Sequence, residues 1–379
     1  MRICIVVRIL WPGGVQRIAF AEAEGLKKLN NEVDLVFIRV AKERLYDSSI
    51  DYKILYKSDI NNRFLARLFK KITLHYLPQR GGEATVDIDL IYKFARSLKN
   101  EYDIVYYFDE FSSFFQKYRK RKYKYKTVVL IHEVSLFNKS VLIKLIQRRA
   151  VKNCDLVLTN SAENLGLLRK YGLKNAEEVY PGLRVNNDIP GFHERENIAI
   201  SVTMWDYGRK PEVFLEIAKR LKIGKIILAG SWADTIYFDK FKEKIKFLGL
   251  GNTLFVTGGV EEQQLNELYK KSKVALRFGY SEKGPGMGSL ESISWGIPLI
   301  INRGIGIKEV VKNGSNGYII EEMEFDYAVQ LIESLFKDSE RWTNISKNNI
   351  CLAETLSWDK HCLKLNEIFQ NLTSKNIDS

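Results

Sequence analysis

Strand-like apolar runs and helix-periodic stretches alternate along nearly the whole of this chain, and that order confines it to few folds. A strand that returns parallel to its neighbour needs a long crossover, usually an amphipathic helix, so repeated βαβ order means parallel sheets flanked by helices. Ile3–Val7 runs into Trp11-Pro12-Gly13-Gly14, after which Val15, Ile18, Ala19, Ala23, Leu26 and Leu29 recur at helical spacing and Val33–Ile38 forms a second strand. Further strands are expected at Ile104–Phe108, Thr127–Ile131 and Leu156–Thr159. Residues 181–190, PGLRVNNDIP, hold turn formers and no periodicity, which makes them an interdomain linker. The alternation restarts at Ile198–Thr203, and a helix from Pro211 carries Val213, Phe214, Ile217, Ala218 and Leu221 on one stripe. Strands then read at Lys225–Leu228, Leu254–Val256, Val274–Arg277 and Pro298–Ile301, and Trp358 to Leu372 reads as a last helix after a break near Ser357. The expectation is an α/β protein with Rossmann-like domains over 1–185 and 186–356, followed by a helical segment 357–379.

A length of 379 residues, 45% of them hydrophobic, supplies two separate cores. Cys4, Cys154, Cys351 and Cys362 show no CxxC or zinc-ligand spacing, so they read as buried free thiols of a reducing compartment. Met1–Arg2 leads directly into the first strand, and no apolar run approaches the ~18 residues of a spanning helix. A cytoplasmic protein, peripheral at a membrane's cytoplasmic face at most, is therefore expected. The net charge of +13 is one-sided: residues 1–185 hold 34 Lys and Arg against 20 Asp and Glu, and the remainder 25 against 26. Such a field draws an anionic surface or acceptor to the first half.

Three segments carry chemistry. Pro12-Gly13-Gly14-Val15-Gln16-Arg17 lies between a strand and a helix, where glycines allow close backbone approach and free helix-start amides bind phosphate. A glycine turn that only links strand to helix would look the same, and the GxGxxG spacing of dinucleotide folds is lacking. Ser281-Glu282-Lys283-Gly284-Pro285-Gly286-Met287-Gly288-Ser289-Leu290-Glu291 is a second glycine-rich loop that opens a helix, with Glu291 one turn inside it, where a carboxylate can accept from ribose hydroxyls. Arg209-Lys210 follows the strand-loop Val202–Gly208 and could neutralise a leaving diphosphate. A surface loop with a capping glutamate and a solvated basic pair are the bland readings of the last two.

In this order the segments resemble the GT-B glycosyltransferases, specifically the retaining family 4 group, over nearly the whole chain. The resemblance also rests on Tyr102-Asp103-Ile104-Val105, Val128-Val129-Leu130-Ile131-His132-Glu133, Asn160-Ser161, Tyr180-Pro181-Gly182, Gly259-Val260, Gly296-Ile297-Pro298, Glu309-Val310-Val311, Asn313-Gly314, Asn316-Gly317 and Ser357-Trp358. It implies two Rossmann-like domains facing across a cleft, with a C-terminal helix crossing back to the first. It implies a nucleotide-sugar donor, UDP- or GDP-linked, a lipid-linked or glycan acceptor, retention of configuration, and neither cofactor nor metal. Carried over by residue, Gly13 and Gly14 meet the donor phosphate, Arg209 and Lys210 the diphosphate, and Gly259 and Val260 the base. Gly284, Gly286, Met287 and Gly288 meet the transferred sugar and phosphate, Glu291 the ribose, and His132 the reacting sugar.

Two positions depart from the family pattern. The family pairs two glutamates separated by seven intervening residues, and here the position eight before Glu291 holds Lys283, with Glu282 one residue further back. Either the loop carries one extra residue and Glu282 serves, or the first carboxylate role is altered. The family's arginine before the lysine falls at Met204, which leaves Lys210 with Arg209 or Arg8 to neutralise phosphate.

Asp87-Ile88-Asp89 imitates the DxD of metal-dependent transferases but precedes Leu90, Ile91, Phe94, Ala95 and Leu98 at helical spacing, as a helix cap would. Positive charge is densest in Lys117–Lys126, interleaved with tyrosines, and in Arg63–Tyr76, an amphipathic helix suited to an anionic membrane interface or to its own domain's surface. A nucleic-acid-binding module is the competing class for those stretches, but no recognition motif accompanies them and the nucleotide-type segments lie in the neutral half. A nucleotide-sugar 2-epimerase or an inactive relative would share the fold; a phosphorylase would need a much longer chain.

Overall fold

The computed structural model describes residues 1–10, 13–40, 50–56, 88–98, 101–115, 124–132, 148, 151–279 and 284–374. Glu282, Lys283, Asp87, the Arg63–Tyr76 segment and residues 117–123 of the basic tyrosine-rich run lie outside them. In chain order the elements are β1 (Arg2–Leu10), α1 (Gly14–Lys28), β2 (Glu32–Val40), β3 (Tyr52–Tyr56), α2 (Ile88–Ser97), β4 (Ile104–Tyr107), β5 (Lys126–Ile131), β6 (Leu156–Thr159), α3 (Ala162–Lys170) and β7 (Ala176–Glu178). There follow β8 (Glu196–Val202), α4 (Glu212–Arg220), β9 (Lys225–Ala229), α5 (Thr235–Phe247), β10 (Leu254–Gly258), α6 (Glu262–Lys271), β11 (Ser272–Arg277), α7 (Met287–Ser294), β12 (Leu299–Asn302), β13 (Gly317–Ile320), α8 (Phe325–Lys337), α9 (Ser339–Thr355) and α10 (Trp358–Ser374).

The chain divides into two compact units, Met1–Gly182 with Trp358–Ser379, and Leu183–Ser357. In the first, a seven-stranded sheet runs β3-β2-β1-β4-β5-β6-β7; in the second, a six-stranded sheet runs β10-β9-β8-β11-β12-β13. All paired strands are parallel. Parallel strands are covered on both faces, which explains why residues 3–7, 104–107, 156–158, 274–276 and 299–301 read as unbroken apolar runs inside β1, β4, β6, β11 and β12. The strands β3, β7 and β13 had no counterpart in the sequence reading. β3 is a half-exposed edge strand, and β7 and β13 are edge strands of only three and four residues, too short to show a period. Of the cysteines, Cys4, Cys154 and Cys362 are buried free thiols, whereas Cys351 is exposed on α9 and corrects the expectation for that residue. Burial pushes the Cys4 thiol up to about 12, which keeps it protonated and inert.

The last helix belongs to the first unit because its inner face is built to fit α1. Leu365 and Phe369 are fully buried, worth roughly 1.5–3 kcal/mol each. Close approach is possible because residue 25 is glycine: a β-carbon there would collide with the Cys362 sulfur. His361 supplies the polar lock. Its Nδ1 lies 2.8 Å from the Tyr180 carbonyl oxygen and its Nε2 lies 2.9 Å from Glu22 Oε1, with both side chains buried. A carbonyl can only accept, so Nδ1 carries a proton and Nε2 shares a second one with the Glu22 carboxyl. Burial, and then Glu22, hold the neighbouring Tyr106 phenol protonated well above its ordinary range.

Replacing His361 by Ala leaves a buried carboxyl without its imidazole, and the expected loss is about 3–5 kcal/mol, read as a lower urea midpoint. Glu22→Gln, whose amide N–H can donate to Nε2, should cost less. A loss below about 1 kcal/mol for His361→Ala, the value of a surface pair, would show that the lock is not structural.

Candidate active site

In an open parallel sheet, ligands bind beyond the carboxyl ends of the strands, where consecutive connections leave in opposite directions. In the second unit that point lies between β8 and β11, and the loops leaving these two strands carry most of the polar residues singled out by the sequence.

In the loop after β8, Trp205 is fully buried, its indole N–H donating to the Ala229 carbonyl at 3.2 Å. The Asp206 carboxylate then accepts from the Arg209 amide at 2.9 Å and closes a single 3-10 turn, Tyr207–Arg209. Lys210 follows in the left-handed region, φ 47° and ψ 60°, before Pro211 starts α4. A side chain in that region costs about 1–2 kcal/mol, so the turn holds an exposed lysine where glycine would be cheaper.

The loop after β11 is pinned at its base. The Asn302 side chain, buried at the end of β12, accepts from the Gly279 amide at 3.2 Å and donates to the Gly279 carbonyl at 3.1 Å. Gly279 also packs against the backbone of Gly208 and Arg209, so the two loops support each other. After residues 280–283 the chain returns at Gly284, and Gly286 (φ 69°) turns it into α7. The cap position is Gly286, which has no side chain to offer this helix start, and no acidic residue lies in its first turn. Gly288 lets the helix sit directly on the end of β8, since a β-carbon there would collide with the Val202 carbonyl. The α7 amides of Met287 and Gly288 therefore open onto the switch point, with the positive end of the helix directed there. One turn in, Glu291 Oε2 accepts from the Tyr269 hydroxyl at 3.0 Å. Gly259 and Val260 follow β10, two strands from β8, where Gly259 lies against Ser231.

The first unit repeats the arrangement at β1 and β4. Gly13 takes an extended conformation and precedes α1 without a side-chain cap, and Gly14 is the first helical residue. Gln16 Nε2 donates to the Ile9 carbonyl at 2.8 Å, which ties the first helical turn to the strand it left. Arg8 Nε pairs with Asp109 Oδ2 at 3.5 Å, and the Asp109 carboxylate also accepts from the Ser112 amide and hydroxyl at 2.9 and 2.8 Å. His132 directly follows β5 and lies beside Phe108, ring centroids 5.9 Å apart, and its carbonyl accepts from Asn164 at 3.2 Å. Its Nε2 is buried with no hydrogen-bond partner among the described residues. Burial pushes the imidazole down to about 4, partly offset by the Asp109 carboxylate.

Within the second unit the structure thus brings Arg209, Lys210, Gly286, Met287, Gly288 and Glu291 to one sheet edge, and within the first it brings Gly13, Gly14 and His132 to the corresponding edge. Glu282 lies outside the described residues. Tyr269, Asn302 and Asp109 were missed. A buried tyrosine hydroxyl needs a partner, which marks Tyr269 as worth attention once its helix is known, but its distance from Glu291 in sequence hides what that partner is. Among the described residues no group of three or more His, Cys, Asp or Glu side chains is arranged to hold a metal, and no helix is long and apolar enough to cross a membrane.

Two family models match adjoining parts of the chain: Glycosyltransferase Family 4 over residues 12–186 and Glycosyl transferases group 1 over residues 185–350. A curated relative, the poly(glycerol-phosphate) alpha-glucosyltransferase of Bacillus subtilis, is 27% identical over 147 residues, which is 38% of this chain and only 21% of the relative's length. Among solved structures, Anabaena HepE in complex with UDP and glucose aligns at a TM-score of 0.77 and 15% identity, covering 98% of this chain and 100% of that one. Staphylococcus aureus TarM, in complex with fondaparinux, alpha-GlcNAc-glycerol and UDP, aligns at 0.73 and 11% identity over 97% and 99% of the two chains. With parallel-sheet units of this topology, and a glycosyltransferase model matching each part of the sequence, the chain belongs to the GT-B glycosyltransferases.

Proposed function

We propose that this protein transfers a sugar from a UDP-sugar to an anionic glycan or lipid-linked acceptor, with retention and without a metal. The observation that carries the donor half is the uncapped start of α7 seated on β8, with the strained Lys210 turn supported by the same loop base. Glycosyl transfer breaks the bond between C1 of the sugar and the β-phosphate oxygen, so the diphosphate gains charge as it leaves. Helix-start amides and a lysine that need no rearrangement stabilise that charge best. The acceptor hydroxyl attacks C1 on the face the diphosphate leaves, and its proton passes to the departing phosphate oxygen. Glu291 holds the ribose, Gly259 and Val260 border the base, and Arg209 assists Lys210. Gly13 and Gly14 bind phosphate at the start of α1. Glu282 is assigned the first carboxylate role, toward the transferred sugar. UDP is chosen over GDP because the HepE and TarM structures named above are complexes with it.

His132, kept neutral by burial, suits hydrogen bonding to sugar hydroxyls better than pairing with phosphate. The acceptor assignment rests on the surplus of basic residues in 1–185 and on the relative named for poly(glycerol-phosphate), itself a polyanion. Arg63–Tyr76 and Lys117–Lys126 are the segments through which an anionic membrane surface would be met.

Lys210→Gly separates stability from function. Relief of the left-handed strain should leave the melting temperature unchanged or raised, equivalent to at most about 1 kcal/mol, while acceptor-dependent UDP release from UDP-glucose and UDP-GlcNAc is lost. Near-normal turnover in this variant would overturn the donor-site assignment, and UDP-sugar consumption without acceptor would point to an epimerase. Transfer to poly(glycerol phosphate) should fall steeply between 50 and 300 mM salt, as screening predicts for charge-guided binding; a salt-independent rate would remove the anionic-acceptor reading. For His132 the folded value lies below the unfolded one, about 6.5, so the unfolded chain binds more protons between the two. Its contribution to stability is full above about 6.5 and lost as pH falls toward about 4. An NMR titration should place its midpoint near the lower limit; a midpoint near 6.5 would contradict the buried neutral imidazole.

A further inference from the structure

Tyr269 is 1% exposed in the last turn of α6, yet it keeps a hydroxyl where phenylalanine would pack without a polar atom to satisfy. The phenol oxygen lies 3.0 Å from Glu291 Oε2 and 3.2 Å from the Gly288 carbonyl oxygen. Both are acceptors, so its one proton is divided between the carboxylate and the first turn of α7. The backbone of Tyr269 is held as firmly. Arg195 Nη1 donates to the Tyr269 and Ser272 carbonyls, each at 2.8 Å, and Nη2 donates to the Trp295 carbonyl at 2.8 Å. The Ser272 and Trp295 carbonyls are at the carboxyl ends of α6 and α7, where intrahelical donors run out, and the Tyr269 carbonyl accepts from the Ser272 amide as well. One buried guanidinium thus joins the two helices at their far ends, and the Tyr269 phenol joins them again at the Glu291 side chain.

From this geometry, and resting on the reading of Glu291 as the ribose carboxylate, we propose that Tyr269 is the positioning residue that turns the Glu291 carboxylate to receive both ribose hydroxyls. A glutamate side chain has rotamer freedom that binding would otherwise have to remove, and a neutral donor fixed on one oxygen removes it before the ligand arrives. The phenol does not touch the ligand. Its effect is therefore confined to the part of the affinity that depends on the ribose diol.

The test measures binding of UDP and of GDP, each beside its 2′,3′-dideoxy counterpart, to the wild-type protein, Tyr269→Phe and Glu291→Ala. Wild type should prefer the ribonucleotide, and Tyr269→Phe should lower that preference about tenfold through weaker ribonucleotide binding alone, with dideoxy affinity unchanged. Tyr269→Phe made in the Glu291→Ala background should have no further effect. If Glu291→Ala abolishes the preference while Tyr269→Phe leaves it intact, the positioning role is wrong and the ribose assignment stands. A preference that survives Glu291→Ala removes both. A Tyr269→Phe protein that loses affinity equally for ribo- and dideoxynucleotides shows a general packing role and overturns the proposal. If neither ribonucleotide binds the wild-type protein, the donor-site reading fails and the inference fails with it.

Discussion

Each sheet of this protein is parallel throughout, and that constraint decides where any chemistry can be. A parallel sheet buried on both faces leaves its polar positions only at its two edges of strand ends, and βα connections collect at the carboxyl edge. The orders β3-β2-β1-β4 and β10-β9-β8-β11 then place the first-formed strand of each unit at the centre, with its successor on one side and a later strand on the other. The loops after β1 and β8 are thereby left with room above them. Gly13–Gly14 and Lys210 lie on those two loops, and α7 can reach the end of β8 only because Gly288 has no side chain.

Side-chain caps secure several of the scaffold helices, although α4 and α8 also start without one. Ser161, Asp234 and Asp338 cap α3, α5 and α9 with side-chain hydrogen bonds, each typically worth about 1 kcal/mol. At α1 and α7 the cap position is glycine and no side chain is supplied. The left-handed backbone of Lys210 adds strain at the same sheet edge as α7. In the first unit, the neutral His132 ring keeps a buried nitrogen with no partner among the described residues. Each of these is an unfavourable local choice for stability, and each is a favourable one for binding an anion or a polyol.

How much of this was legible in the sequence depends on the range of the interaction. Gly13-Gly14 before a helical stripe, Lys210 before Pro211, and Glu291 one turn past Gly286 are local patterns, and their order along the chain carried the family resemblance. Tyr269 and Asn302 were not legible, because each acts on a partner about twenty residues away, helix to helix for Tyr269 and strand end to neighbouring loop for Asn302, through contacts that no local period reports. The edge strands β3, β7 and β13 were lost for a related reason: a short strand with one neighbour is made by its partner's backbone more than by its own side chains. Cys351 shows the same limit in reverse, since its position on the outer face of α9 follows from how that helix packs rather than from cysteine's usual preference.

Net charge is equally uninformative without position, and two cations of the second unit show why. Arg195 is buried, stacks on the Trp342 ring at 5.1 Å and gives its donors to the carbonyls of Pro190, Tyr269, Ser272 and Trp295. Burial lowers its guanidinium only to about 10, so it is charged at neutral pH, but the oriented carbonyl dipoles take up its field locally. Lys210 carries the same formal charge on an exposed one-turn loop. The half of the chain with balanced composition can therefore hold an anionic nucleotide, because what a ligand meets is the charge the fold leaves outward at one sheet edge. On the proposed reading, the excess of the first half serves a different task, attraction of an acceptor over a wide surface, and the two demands need not compete for the same residues.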